Sequence, residues 1–545
     1  MKKKDSLNQP NKTLNFWLCA GLLVVLLASI LARDITRPFY GLHSWADASG
    51  SWAARTHAKY GLGYTKGMTT WAVGQPPTQN PKRYVDHPQL FMLTSAVFMK
   101  AFGYHEYTHR IIRLMASTCN LLLFLAIMRR LVDQKTALLT GLFYVLFPLI
   151  GFFGTGAWPQ VFHFWAFWAY LAYIGELKEA DSGKPIHKWT LAASLFLMLQ
   201  LSWSGFFFAF AIGLHYVCRC IHKKQLPEKM LLAILIVAPL SSLALDFTIM
   251  AGGYGWDFQK IIDLYKWRSA KGEMPEFLWG AWFAKFWEFA ITNFTLPILI
   301  TAIVYLTFGQ LFVFMETKPE KTDKRRPRQF PQFWLFLMPG IFQLFILRGC
   351  LWKHQTWERP LAPFVAIATA LGVMLLGDIL RKINRRLAIA GMVTLVGVIV
   401  GFCVLGTNYY HGIRWQAPEK IRMFKMLNQK IPPDKYLLSF EDFIVNQHKS
   451  KGGFYRPEYA WYLDREIVQA RTLAEVQKYA ETDRFPYYLV PAVDQLSPLI
   501  GQLQKHYKLF KYIPGNPGET KNGKFYRAGM MSYMIFDLTT VVPNP

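Results

Sequence analysis

The sequence predicts an α-helical polytopic membrane protein that ends in a small soluble α/β region, and three observations predict it. The 545 residues are 52% hydrophobic, 16% aromatic and only 17% charged, and the apolar residues gather into runs that match the ~30 Å hydrocarbon core of a bilayer. Basic residues sit between those runs in short clusters, at Arg129 and Arg130, Lys223 and Lys224, residues 318–328 and residues 381–386. After residue 406 the long apolar runs stop.

A net charge of +27 invites a nucleic-acid reading, but clusters confined to the gaps between apolar runs follow the positive-inside rule for cytoplasmic loops. No nucleic-acid partner is expected. Cys19, Cys119, Cys218, Cys220, Cys350 and Cys403 all lie in or at the ends of apolar segments. They show neither a disulfide framework nor metal-ligand spacing.

The first apolar run, residues 14–32, follows Lys2, Lys3 and Lys4 and has the length of a full span. Leu31-Ala32-Arg33-Asp34 offers no small-residue cleavage site, so the run reads as a retained anchor. A long polar loop, residues 33–87, comes next. Further spans are expected at 110–128, 136–150, 158–175, 189–201, 203–219, 231–251, 294–314, 333–347, 360–380 and 387–405, about eleven crossings in all. With the basic clusters and amino terminus cytoplasmic, parity requires that 88–103 not cross, which makes it a re-entrant or juxtamembrane helix. The two segments around Ser202-Trp203-Ser204 have one kinked helix as their alternative.

The same parity places 252–293, 349–359 and everything after 406 on the outer side with the first loop. Segment 252–293 is rich in Trp and Tyr, a composition that suits amphipathic helices lying in the interface. The chain therefore divides into a membrane domain, 1–406, and a soluble α/β domain, 407–545. In the latter, 436–440, 487–490 and 530–536 read as strands, and 473–479 and 499–507 as amphipathic helices. No internal repeat supports the paired halves of many secondary transporters.

The polar residues beside the spans carry the candidate chemistry. Asp47, in Trp45-Ala46-Asp47-Ala48-Ser49-Gly50, falls in a segment whose spacing suits a short helix on the membrane surface, where a carboxylate is placed to act as general base. Its alternative is a solvated loop acid. Asp34 reads as an interfacial charge paired with Arg33 or Arg37. Asp86 suits a helix cap, and His87 in Asp86-His87-Pro88-Gln89-Leu90 is a binding candidate beside it. Glu106 and Arg110 stand at the mouth of the next span. A guanidinium there needs a partner, either a phosphate or a carboxylate, and a plain i,i+4 pair with Glu106 is the bland alternative. Arg113 is the second candidate for the same task. His354, Glu358 and Arg359 crowd a short outer turn with Lys353. No Walker loop, Ser/His/Asp spacing or HExxH occurs.

In order, these pieces resemble the GT-C superfamily of membrane glycosyltransferases, in particular the branch of the protein O-mannosyltransferases and the lipid A aminoarabinose transferase. The resemblance rests on Asp47 in the first outer loop, on His87-Pro88-Gln89-Leu90 closing it, and on Phe102-Gly103 with Glu106 and Arg110 opening the next span. A weaker match runs through Glu358-Arg359-Pro360-Leu361-Ala362-Pro363. It implies a polyprenyl-phosphate sugar donor, an envelope glycan, lipid or protein acceptor, Asp47 as base toward the acceptor hydroxyl and Arg110 on the lipid phosphate. His87, Glu106, His354, Glu358 and Arg359 are expected to bind substrate. No metal and no cofactor are expected.

Two departures stand out. Ala48 follows Asp47 where the family commonly has a second acid, and Gln89 replaces a proline. Short loops and the amino-terminal lysines suit a bacterial inner membrane, with the site and tail facing the periplasm. The competing readings are a transporter or lipid flippase, and a structural component of an envelope complex.

Overall fold

The apolar runs fold into helices whose breaks fall where the chain carries a proline or a residue outside helical geometry. The computed structural model describes residues 9–77, 79, 81–84, 87–155, 162–177, 183–256, 258–270, 277–309, 330–352, 354–441, 443–445, 454–521 and 524–542. Asp86, Lys353, the amino-terminal lysines and the basic cluster at 318–328 lie outside the described residues.

In chain order the helices are α1 (Gln9–Ala32), α2 (Ser44–Thr65), α3 (Leu90–Phe102), α4 (Glu106–Leu131), α5 (Gln134–Leu146), α6 (Pro148–Phe153), α7 (His163–Tyr173), α8 (Pro185–Leu201), α9 (Gly205–His222) and α10 (Lys229–Tyr254). Next come α11 (Gln259–Arg268), α12 (Trp279–Phe294), α13 (Leu296–Val304), α14 (Phe330–Ile346), α15 (Ala362–Ile383) and α16 (Arg385–Gly412). The tail adds α17 (Pro418–Lys430), α18 (Pro457–Leu463), α19 (Leu473–Ala480) and α20 (Ser497–His506). Two compact units result, one of Met1–Ile35, Val85–Phe91 and Arg110–Tyr410, the other of Thr36–Tyr84, Met92–His109 and His411–Pro545.

The first unit is helical. Among the described residues, six helical segments of the chain are individually long and apolar enough to cross a membrane, and the bent pair formed by α12 and α13 allows a seventh crossing. This is an integral membrane protein. The run expected at 136–150 is broken into α5 and α6 because Pro148 forces Phe147 out of helical geometry (φ −52°, ψ 128°). At Ser202 the backbone turns extended (φ −163°, ψ 138°), so α8 and α9 are separate helices rather than one kinked rod. A 103° bend separates α12 from α13 at Thr295, whose φ is +73°. Along α12, Trp279, Phe283, Trp287 and Ile291 are exposed at every fourth position, a single face suited to the interface.

The second unit combines the first polar loop with the tail. α3, 13 residues long, rises only ~20 Å, short of a bilayer core. β1 (Thr69–Trp71) and β2 (Lys82–Tyr84) pair antiparallel. In the tail, β3 (Leu437–Ser439), β4 (Ile467–Gln469), β5 (Tyr487–Pro491), β6 (Tyr507–Ile513) and β7 (Tyr533–Val541) form one sheet in the order β4-β3-β5-β7-β6. β3 runs parallel to β4 and β5, while β7 is antiparallel to β5 and β6. Val476 of α19 and Leu503 of α20 bury with Leu438, Tyr488, Val490 and Phe536 of the sheet as its core.

Candidate functional site

α2 carries Asp47 in its first turn, where a carboxylate meets the positive end of the helix dipole. The helix is not the short surface element that the spacing predicts. Ala48, Gly50, Ser51, Ala53 and Ala54 are all buried along it, because residues this small let neighbouring backbone approach from several sides. The Trp52 indole donates to the Ala72 carbonyl at 2.7 Å, and the Trp71 indole returns to the Ser49 carbonyl at 3.1 Å. Asp47 is 8% exposed, so it is no solvated loop acid.

α18 grips α2 at two levels. The Ser44 hydroxyl, at the first helical residue, donates to Glu458 Oε1 at 2.9 Å. Three turns later Arg55 donates to the Trp461 and Ala460 carbonyls at 2.6 and 2.9 Å and pairs with Asp464 at 3.3 Å. Lys59 reaches the other oxygen of Asp464 at 2.9 Å. Glu458 is 1% exposed, and burial pushes its carboxyl above the usual carboxylate range. Glu458, Arg55 and Asp464 were not legible as site-supporting residues. Pro457 at the head of α18 marks a helix start, but nothing in the sequence links that helix to α2.

Glu106 belongs to the same unit as Asp47. Its Oε1 takes the Lys425 ammonium at 3.2 Å and the Tyr462 hydroxyl at 3.0 Å. These tail residues hold it in place of the helix-face pair with Arg110 that the i,i+4 spacing allows.

The remaining expected residues lie in the helical unit. Arg110 is buried and its Nη1 donates to the carbonyls of Asp34 and Ile35, both at 3.1 Å. One turn on, Arg113 donates to the Thr155 carbonyl at 2.6 Å, with its guanidinium carbon 5.2 Å from the centre of the Phe91 ring. Arg359 is buried within electrostatic reach of Arg113 and of the Tyr144 hydroxyl.

Glu358 is fully buried, 0% exposed, and does not pair with Arg359. Its Oε2 accepts from Asn293 Nδ2 at 3.0 Å, which also donates to the Gln355 carbonyl at 2.7 Å, and the Tyr410 hydroxyl donates to Asn293 Oδ1 at 2.9 Å. This network ties the turn before α15 to the ends of α12 and α16. His354 is half-buried just ahead of it, in extended backbone. His87 is half-buried, and its carbonyl accepts from the Gln89 amide. Thus Arg113, Arg359 and Tyr144 come together, Glu358 joins Asn293 and Tyr410, and Asp47 is held by an architecture of its own.

No protein-family model and no curated protein matches the sequence. Solved structures do match. ArnT from Cupriavidus metallidurans bound to undecaprenyl phosphate aligns with a TM-score of 0.56 and 12% identity, over 96% of this chain and 97% of that one. The same enzyme in its apo state aligns at 0.52 and 13% identity, over 96% and 98%. The Archaeoglobus fulgidus oligosaccharyltransferase AglB, with an inhibitory peptide and a dolichol-phosphate, aligns at 0.49 and 11% identity, over 93% and 74%. The ArnT likeness, near complete in both chains, establishes a shared fold.

Proposed function

We propose, for a chain that has the GT-C membrane fold, that it is a glycosyltransferase moving a sugar from a polyprenyl-phosphate donor to an envelope acceptor. The observation that carries this reading is Asp47, a buried carboxylate on a helix that tail residues grip at two levels, its start and its middle. Asp47 takes the proton of the acceptor hydroxyl as its oxygen bonds to the anomeric carbon, and the anomeric carbon–phosphate oxygen bond breaks. Polyprenyl phosphate departs with that electron pair. Its negative charge needs fixed cations, which is the role assigned to Arg110, with Arg113 and Arg359 as a further guanidinium pair. His87, Glu106, His354 and Glu358 complete the expected substrate-binding set. A lipid-phosphate donor has already shed its nucleotide, so no nucleotide loop is required.

The finer parts of the proposal are an eleven-crossing membrane domain, 1–406, in a bacterial inner membrane, and a periplasmic α/β domain, 407–545, on the acceptor side. The test uses membranes containing the protein and a radiolabelled polyprenyl-phosphate sugar. Label is expected to pass to an acceptor, and Asp47→Asn is expected to stop transfer at unchanged protein abundance. Arg110→Ala is expected to weaken donor use more than Arg110→Lys, because a point charge still binds phosphate. Full transfer by Asp47→Asn removes Asp47 from the mechanism.

A further inference from the structure

The second unit contains an open cleft of about 360 Å³, lined by Arg55, Glu106, Lys425, Asp464, Tyr104 and Tyr462, with His105, Trp461 and two amides, Asn428 and Gln429, completing it. The volume falls within the usual range for small-molecule sites, but the lining is not the usual apolar one. Its floor is tied together by ion pairs and ring contacts. Arg55 and Asp464 are ion-paired at 3.3 Å, and the Arg55 guanidinium lies 4.7 Å from the Trp461 ring. Lys425 is paired with Glu106 and stands 4.7 Å from the Tyr462 ring. Its rim is open, for Tyr104 is 45% exposed at a turn made by Gly103 with φ +85°.

The charges decide what fits. Two cations, Arg55 and Lys425, face two carboxylates, Glu106 and Asp464, so the charged lining balances and each member already has an opposite partner. An ionic ligand has to break one of those pairs, and breaking a half-buried pair strands a charge. A polyol breaks none. Its hydroxyls donate to carboxylate lone pairs and accept from the ammonium, the guanidinium and the amides. The exposed Tyr104 ring supplies the flat apolar face that the C–H side of a pyranose packs on.

We propose that this cleft binds the saccharide portion of the acceptor, which makes the acceptor a glycan or glycolipid rather than an unmodified polypeptide. The proposal deepens the glycosyl-transfer reading and rests on it for the word acceptor, but not for the binding itself. Binding is measured by saturation-transfer NMR on the full-length protein in nanodiscs, with maltotetraose and chitotetraose as neutral sugar probes and an uncharged tetrapeptide as the contrast. At least one sugar is expected to saturate. Tyr104→Ala and Lys425→Ala are expected to weaken it by about tenfold each through loss of a ring face or a donor, Tyr104→Ala with an unchanged melting transition and Lys425→Ala with a lowered one, because it strands the Glu106 carboxylate. No saturation by either sugar, equal saturation in the variants, or saturation by the peptide instead overturns the proposal. The transfer reading is tested by label transfer and the cleft by sugar saturation, so a failure of the one and a failure of the other show up in different measurements.

Discussion

α2 and α16 are both long helices, and they treat burial in opposite ways. In the most apolar window of α16 only 17% of the residues are buried within the protein. α2 is the polar one, yet it buries Ser44, Asp47, Arg55, Thr56 and His57 together with Ala48, Ala53, Ala54 and Ala58. Lipid solvates Val and Leu about as well as a protein core does, so an apolar helix gains little by withdrawing from it. Guanidinium and imidazole groups need protein partners: α18 supplies carbonyls to Arg55, and His57 finds the Thr65 hydroxyl within α2 itself. For α16 the ordinary rule that apolar residues mark the inside does not hold, and the buried polar helix is where specific chemistry is to be sought.

The sharpest way to break this contrast is to make the same substitution on both helices. Arg55→Ala removes a buried guanidinium that holds two carbonyls of α18 and a carboxylate, and its loss is expected to cost about 3–5 kcal/mol. Arg386→Ala, at the exposed start of α16, is expected to stay within ~0.5 kcal/mol. Thermal unfolding followed by circular dichroism in one detergent reads both. Equal shifts would mean that burial of α2 carries no energetic weight.

His57 sharpens the comparison by its charge. Burial pushes its imidazole from 6.5 down to about 4, and its Nδ1 lies 2.9 Å from the Thr65 hydroxyl. Between pH 6.5 and 4 the native state therefore binds fewer protons than the unfolded chain. Stability present above pH 6.5 is lost as the pH falls toward 4, by about 3 kcal/mol for this group. Melting measured from pH 7 to pH 4 is expected to show that loss, and His57→Gln to flatten it over the same window. An unchanged slope in the variant would place the acid sensitivity elsewhere.

Legibility in the sequence followed the same division. Apolar runs announced the helices of the membrane unit, because length and hydropathy are local properties, and α1, α9, α10 and α16 stand where the runs lie. What the runs could not announce was the break at Phe147, where a single proline outweighs a long apolar stretch; the boundary expected between 252–293 and 294–314 falls within about a residue of the bend at Thr295. In the tail, the short apolar run at 487–490 and the amphipathic pattern at 473–479 were enough to locate β5 and α19 within about a residue. Asp47 was legible only as an acid in a first outer loop. Its helix is joined to α18 through Ser44 to Glu458 and through Arg55 to the Ala460 and Trp461 carbonyls, across some 400 residues of sequence, and no window of local pattern carries that information. Glu106 shows the same limit, because its spacing to Arg110 suggested a local partner while Lys425 and Tyr462 take it from the distant tail.

The smallest effect isolates packing from charge. A Cβ added at Gly50 would lie 2.9 Å from His109 Nε2 and 3.3 Å from the Met92 methyl carbon, and the His109 ring is held in place by Ser95 at 2.9 Å. Gly50→Ala is therefore expected to cost about 1–3 kcal/mol by overpacking, although alanine is the better helix former. At Gly401 of α16 the same Cβ meets nothing within 4 Å, so Gly401→Ala is expected to stabilise by about 0.5–1 kcal/mol through the chain entropy alone. The two melting shifts should have opposite signs. A stabilising Gly50→Ala would mean that His109 and Met92 yield freely, and that the crowding around α2 is looser than its buried alanines imply.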